Sequence, residues 1–171
     1  MKRSIILEGV NGSGKSTLSE HLSRTYDLPV HHAGPAADGI VNAFDNCVEQ
    51  IGLIKKGCIM DRVTPISRVC YENSMLPFEV ASLSIFMTLM SMDAVIIYCM
   101  GEGPFTEKEY YPEGHMQEII DQRDLIKNNY QYYFKHIGMP FMTYDWKNDD
   151  INEFTKELTC TRTTPSTTSL N

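Results

Sequence analysis

Residues 9 to 16, GVNGSGKS, meet the pattern G-x-x-x-x-G-K-[ST] at every fixed position. Small residues allow successive backbone N–H groups to turn inward around an anion, and a helix beginning at Lys15 would add the positive end of its dipole. Lys15 would then reach the terminal phosphates of a nucleotide as a point charge, and the hydroxyl of Ser16 would hold a magnesium ion. A glycine-rich turn with a capping serine would use the glycines, but it has no need of Lys15, Ser16 and Thr17 at this spacing. The expected donor site for ATP and Mg2+ is therefore Gly9, Asn11, Gly12, Ser13, Gly14, Lys15, Ser16 and Thr17.

Two further groups carry chemistry. Asp61-Arg62 follows the short apolar run Cys58 to Met60, and His31-His32 ends another. An aspartate there can act as a general base or in the second shell of the magnesium ion. An arginine there can steady a moving phosphoryl group, with a surface ion pair as its alternative. A histidine could contact an acceptor or take the proton of an acceptor hydroxyl; a pair of polar histidines at a strand end is the alternative. Phosphate loops also serve GTPases and motor ATPases. A GTPase would carry an NKxD guanine-reading motif, which this sequence lacks, and the chain is short for a motor. A small kinase fits best.

The elements must bring these groups together. Ser4 to Leu7, Leu28 to His32, Cys58 to Met60, Ala94 to Met100 and Pro140 to Tyr144 are short apolar runs that read as strands, with AVIIYCM the best central one. Helical spacing predicts helices from Lys15 onward, over 38–54 with Val41, Phe44, Val48 and Ile51 facing inward, over most of 66–91 with a break at Pro77, over 116–137, and over 149–159. The Met-rich run 75–92 reads as helix packing, and the glycine-, proline- and glutamate-rich stretch 101–114 as a loop. The result is an α/β fold: a five-stranded parallel sheet with helices on both faces. In such sheets ligands bind beyond the carboxyl ends of the strands, where the glycine loop, His31-His32 and Asp61-Arg62 all fall.

The 171 residues suffice for one domain over 1–160, followed by a Ser/Thr-rich tail, 161–171, expected to be disordered. A net charge of −7 offers no general attraction to nucleic acid or anionic membrane. Five cysteines stand singly, which fits a reducing compartment. No run is long enough for a membrane span, so a cytoplasmic protein is expected. The oligomeric state is left open.

Residues 7–17 (LEGVNGSGKST), taken with residues 59–72 (IMDRVTPISRVCYE), resemble the thymidylate kinase family and its small bacteriophage relatives. The resemblance covers the first half of the chain; the second half shares only the general layout. It implies the three-layer P-loop kinase fold, and it implies that Lys15, Asp61 and Arg62 are catalytic, with Arg62 holding the acceptor near the transferred phosphoryl. Ser67 and Tyr71 match the family's serine and aromatic once one residue is inserted near Pro65. Asn11, His32, Arg62, Arg68 and Tyr71 become the expected acceptor contacts.

The departures point to the acceptor. Asn11 replaces the loop acid that approaches a free nucleotide's 3′-hydroxyl, Tyr71-Glu72 replaces an aromatic–glutamine pair, HHAGP replaces an arginine-containing stretch, and the segment matching the arginine-rich lid has no arginine. A thymidine-like unit inside DNA has a phosphodiester at its 3′-oxygen, which an aspartate at position 11 would repel and an asparagine would not. The resemblance then extends to bacteriophage kinases that phosphorylate 5-hydroxymethyl-deoxyuridine in DNA. A free deoxynucleoside monophosphate kinase and a nucleotide-binding regulator without transfer activity are the alternatives.

Overall fold

The computed structural model describes residues 3–33, 40–72, 94–104, 115–136 and 140–160. The chain runs β1 (Ser4–Glu8), α1 (Lys15–Tyr26), β2 (Val30–His32), α2 (Ile40–Lys56), β3 (Ile59–Asp61), α3 (Thr64–Glu72), β4 (Ala94–Cys99), α4 (His115–Asp121), α5 (Arg123–His136), β5 (Met142–Tyr144) and α6 (Ile151–Cys160). The five strands form one parallel sheet in the order β2-β3-β1-β4-β5. The expected α/β architecture is the observed one, with β1 at the centre and β4 directly beside it. The Pro77 break, the Met-rich run, most of the 101–114 loop and the tail lie outside the described residues.

Alternation along the strands builds two cores. Ile6, Met60, Ile96 and Tyr98 face α2, α3, α4 and α5, where Ile54, Ile66, Ile126, Tyr130 and Phe134 meet them. Ile5, Leu7, Ile59, Val95, Ile97 and Cys99 face α1 and α6, against Leu18, Leu22, Phe154 and Leu158. A parallel strand covered on both sides reads as a continuous apolar run for this reason.

Two expectations change. The predicted stripe of α2 is rotated: Val48 is exposed, while Cys47, Gln50 and Ile54 are buried. The side chains of Val41 and Phe44 are outside the described residues. The polar Gln50 takes an inward position because it caps α3, donating Nε2–H to Thr64 Oγ1 at 2.9 Å and accepting from the Thr64 N–H at 2.9 Å. That satisfies a donor the start of a helix would otherwise leave unpaired. The long helix expected over 116–137 is two, broken at Gln122, whose carbonyl starts the second by accepting from Ile126 N–H at 2.9 Å. Its apolar face is Ile119, Ile126, Tyr130 and Phe134; Ile120 is exposed.

Candidate active site

The loop between β1 and α1 is shaped by contacts that exclude side chains. Gly9 has φ +142°, and a Cβ there would stand 2.3 Å from the Cys99 carbonyl oxygen, so the loop lies against the end of β4. Gly14 (φ +88°) is the residue before α1, and a Cβ there would meet the indole of Trp146 at 2.7 Å. Both positions demand glycine for its conformation and its size. Neither a side-chain cap nor an acidic residue occupies the first turn of α1, so its amide dipoles are left to an anion. Ser16 and Thr17 are exposed on that turn.

Lys15 is buried, its ammonium donating to the carbonyls of Gly9 (3.0 Å) and Val10 (2.8 Å) and to Ser13 Oγ (3.3 Å). Burial, and then the nearby Arg62 guanidinium, pull its pKa down to about 7, with Asp61, Cys99 and Glu8 acting the other way. An ammonium held on neutral carbonyls gains from any phosphate that arrives.

Asp61 and Arg62 end β3 beside this loop. Asp61 is buried; its Oδ2 lies 3.0 Å from His32 Nδ1, and its Oδ1 is buried without a hydrogen-bond partner. Arg62 has φ +76° and donates its N–H to the Leu7 carbonyl at 2.9 Å. That left-handed turn costs a non-glycine residue about 1–2 kcal/mol, and it swings the guanidinium back over the loop. Nη2 donates to Asn11 Oδ1 (2.5 Å) and to the Tyr71 hydroxyl (2.7 Å), Nη1 to the Tyr130 hydroxyl (3.0 Å), and the group sits 4.8 Å from the centre of the Tyr71 ring. Although burial opposes its charge, the hydroxyls of Tyr71 and Tyr130 and the carboxylates of Glu8 and Asp61 raise the Arg62 pKa.

Glu8, wholly buried, supports this arrangement from below. Its carboxylate accepts from the Val63 N–H (2.7 Å), Ser67 Oγ (3.0 Å) and the Tyr130 hydroxyl (2.9 Å). Burial pushes its pKa up, and Arg62 pulls against that.

The expected residues thus divide. Gly9, Asn11, Gly12, Ser13, Gly14, Lys15, Ser16, Thr17, Asp61, Arg62 and His32 share the carboxyl end of the sheet. Tyr71 joins them, though one ring face carries Arg62 and its hydroxyl also donates to Asn11 Oδ1 at 3.1 Å. Arg68 stands on α3 near Cys47, whose pKa its charge lowers against the larger effect of burial.

Two residues escaped sequence reasoning. Tyr130 reads as one more apolar position of a helical stripe, yet its hydroxyl joins Glu8 to Arg62. Trp146, just past β5, lies along Gly14 and Gly101, where a Cβ would be 2.0 Å from Cδ1. The available signal was its place beyond the carboxyl end of a strand.

The residues fit a magnesium ion held jointly with phosphates. Ser16 offers a hydroxyl, and the partnerless Asp61 Oδ1 can accept from water on the ion. When bound, the ion would neutralise charge on the phosphate oxygens.

Solved structures share this arrangement of sheet and helices. The YorR protein of Bacillus subtilis, solved in complex with phosphorylated GDP, is 20% identical with a TM-score of 0.67, over 92% of this chain and 94% of its own. The chain has the P-loop kinase fold. Deoxyadenosine kinase from M. mycoides with bound dATP is 17% identical (TM-score 0.56; 91% of this chain, 99% of that one). Thymidylate kinase from Candida albicans is 14% identical (TM-score 0.54; 92% and 89%). At these identities the likeness is one of fold. No family model matches the sequence, and no curated protein does.

Proposed function

We propose that this chain transfers the γ-phosphoryl group of ATP, with Mg2+, to a nucleoside- or nucleotide-like acceptor. The observation that carries the reading is the meeting of Lys15, Asp61 and Arg62 at the carboxyl end of the sheet, beside a helix start that has no side-chain cap and no acidic residue in its first turn. Lys15 and the start of α1 bind the donor phosphates, and Arg62 supplies positive charge where the phosphoryl moves. The names of the fold neighbours, deoxyadenosine kinase and thymidylate kinase, support an acceptor of this class.

The finer acceptor is the thymidine-like unit of the family resemblance, with the hydroxymethyl group of 5-hydroxymethyl-deoxyuridine in DNA as its most specific form. Asn11 supports that form less than its residue type suggests. Its Oδ1 already accepts from Arg62 and Tyr71, so an aspartate there would pair with Arg62 and cancel its charge. Two unit charges about 4 Å apart interact by roughly 4 kcal/mol at an effective dielectric near 20. Asn11→Asp should therefore lower kcat about tenfold or more on every acceptor, in DNA or free. A loss confined to DNA would restore the phosphodiester argument.

The deciding experiment offers γ-labelled ATP with thymidine, deoxyadenosine, dTMP, 5-hydroxymethyl-deoxyuridine or an oligonucleotide containing that base. Label in at least one acceptor is expected. Label only in free nucleosides or nucleotides removes the DNA form. Binding of ATP with no label anywhere leaves a nucleotide-binding regulator in place of the kinase.

A further inference from the structure

His32 closes β2 and Asp61 closes β3, and the two are register partners across the parallel pair. Their side chains meet at 3.0 Å through His32 Nδ1 and Asp61 Oδ2. An ionised carboxylate only accepts, so Nδ1 carries the hydrogen and the lone pair of the neutral ring lies at Nε2. Asp61 is almost entirely enclosed, whereas the His32 side chain is 59% exposed, so the ring is anchored at one nitrogen and accessible at the other. The same carboxylate acts on the charges of Lys15 and Arg62. One buried aspartate therefore ties an open imidazole to the phosphate loop.

We propose that His32, oriented by Asp61, is the base that takes the proton of an acceptor hydroxyl, so that the acceptor reacts through an alcohol and not through a phosphate. This rests on the kinase reading above. In the step, the Nε2 lone pair takes the hydroxyl proton and the acceptor oxygen bonds to the γ-phosphorus. The bond from that phosphorus to the β–γ bridging oxygen breaks, and its electron pair stays on ADP. The products are ADP and a phosphate monoester, and the exposed imidazolium returns its proton to solvent.

Two observations favour an alcohol. A phosphate oxygen is already anionic at neutral pH and has no proton that needs removing, so an aspartate-oriented imidazole has work only with a hydroxyl. The cations of the site, Lys15 and Arg62, already face the carboxylates Glu8 and Asp61. A phosphomonoester would add close to two negative charges beyond those of ATP, whereas a hydroxyl adds none. Asp61 is the positioning residue and His32 the catalytic one.

The test compares wild type, His32→Gln and Asp61→Asn on thymidine, 5-hydroxymethyl-deoxyuridine and dTMP, with ATP affinity and Tm measured alongside. His32→Gln should lower kcat on the hydroxyl acceptors by about 10² or more, with ATP affinity and Tm kept. Long-range proton–nitrogen NMR should find His32 as the Nδ1–H tautomer in wild type and lose that preference in Asp61→Asn. An unchanged kcat in His32→Gln, a wild type that labels dTMP in preference to the hydroxyl acceptors, or an Nε2–H tautomer overturns the inference and leaves the kinase standing. If the wild type labels no acceptor, the kinase reading falls and this inference goes with it.

Discussion

At the scale of single residues, Lys15 has surroundings that work against its own charge. It is buried, it faces Arg62, and its pKa falls to about 7 from the ordinary 10.5. Bound polyphosphate favours the charged form, so the complex holds the proton up to a higher pH than the free protein does. Above about pH 7 the bound state therefore carries more protons than the free state, and affinity falls as pH rises. Below that value both states are protonated and the contribution is complete. Calorimetric titration should find ATP binding weakened between pH 7 and 9, by at most about tenfold per unit, with proton uptake on binding. Constant affinity with no proton uptake over that range would contradict the assigned environment. The Arg62 guanidinium differs: its neighbours keep it charged at every accessible pH, and its left-handed backbone fixes where that charge points.

At the scale of elements, α5 reaches the site through a single hydroxyl. Tyr130 donates to Glu8 and accepts from Arg62, so Tyr130→Phe keeps the packing and removes both bonds. Leaving a buried carboxylate short of a donor costs about 1–3 kcal/mol, which for a chain of this size is a Tm lower by roughly 2–12 °C. The same change should reduce kcat, because Arg62 loses a partner, while ATP affinity stays near wild type. Unchanged Tm and kcat would show that the network carries no weight. The loop after β5 makes a second link, laying Trp146 against Gly14. Trp146 is the one tryptophan of the chain, so its emission should shift when ATP fills the phosphate loop. Silent emission during binding proved by calorimetry would contradict that contact.

How much of this the sequence disclosed differs from element to element. The strands were legible because both faces of a parallel sheet are covered, which makes each strand one apolar run. The place of the glycine loop between β1 and α1 was legible because the motif couples a strand end to a helix start. The inward face of α2 was misjudged, because Gln50 is buried for its hydrogen bonds to Thr64 and not for its hydropathy. The split at Gln122 left no proline or glycine to mark it. Tyr130, Trp146 and the His32–Asp61 contact depend on residues far apart in the chain meeting at the sheet edge, and no local pattern records such meetings.

At the scale of the whole molecule, the proposed donor is a polyanion and the chain is acidic, with a net charge of −7. Positive groups are concentrated locally: the uncapped first turn of α1, Lys15 and Arg62 converge where β1 and β3 end. Among the described residues no helix is long and apolar enough to cross a membrane. The fold neighbours match more than nine-tenths of this chain at 20% identity or less, so very different sequences adopt the same architecture. The central claim is that the phosphate loop is a donor site for phosphoryl transfer. The most direct measurement is single-turnover transfer from γ-labelled ATP by wild type and Lys15→Ala, using whichever acceptor takes label, with melting curves for both proteins. The account predicts transfer reduced at least about 10²-fold in Lys15→Ala, with the fold retained and a Tm near wild type, because relief from burying a cation offsets the hydrogen bonds lost at Gly9, Val10 and Ser13. Transfer at the wild-type rate from a folded Lys15→Ala protein would contradict it.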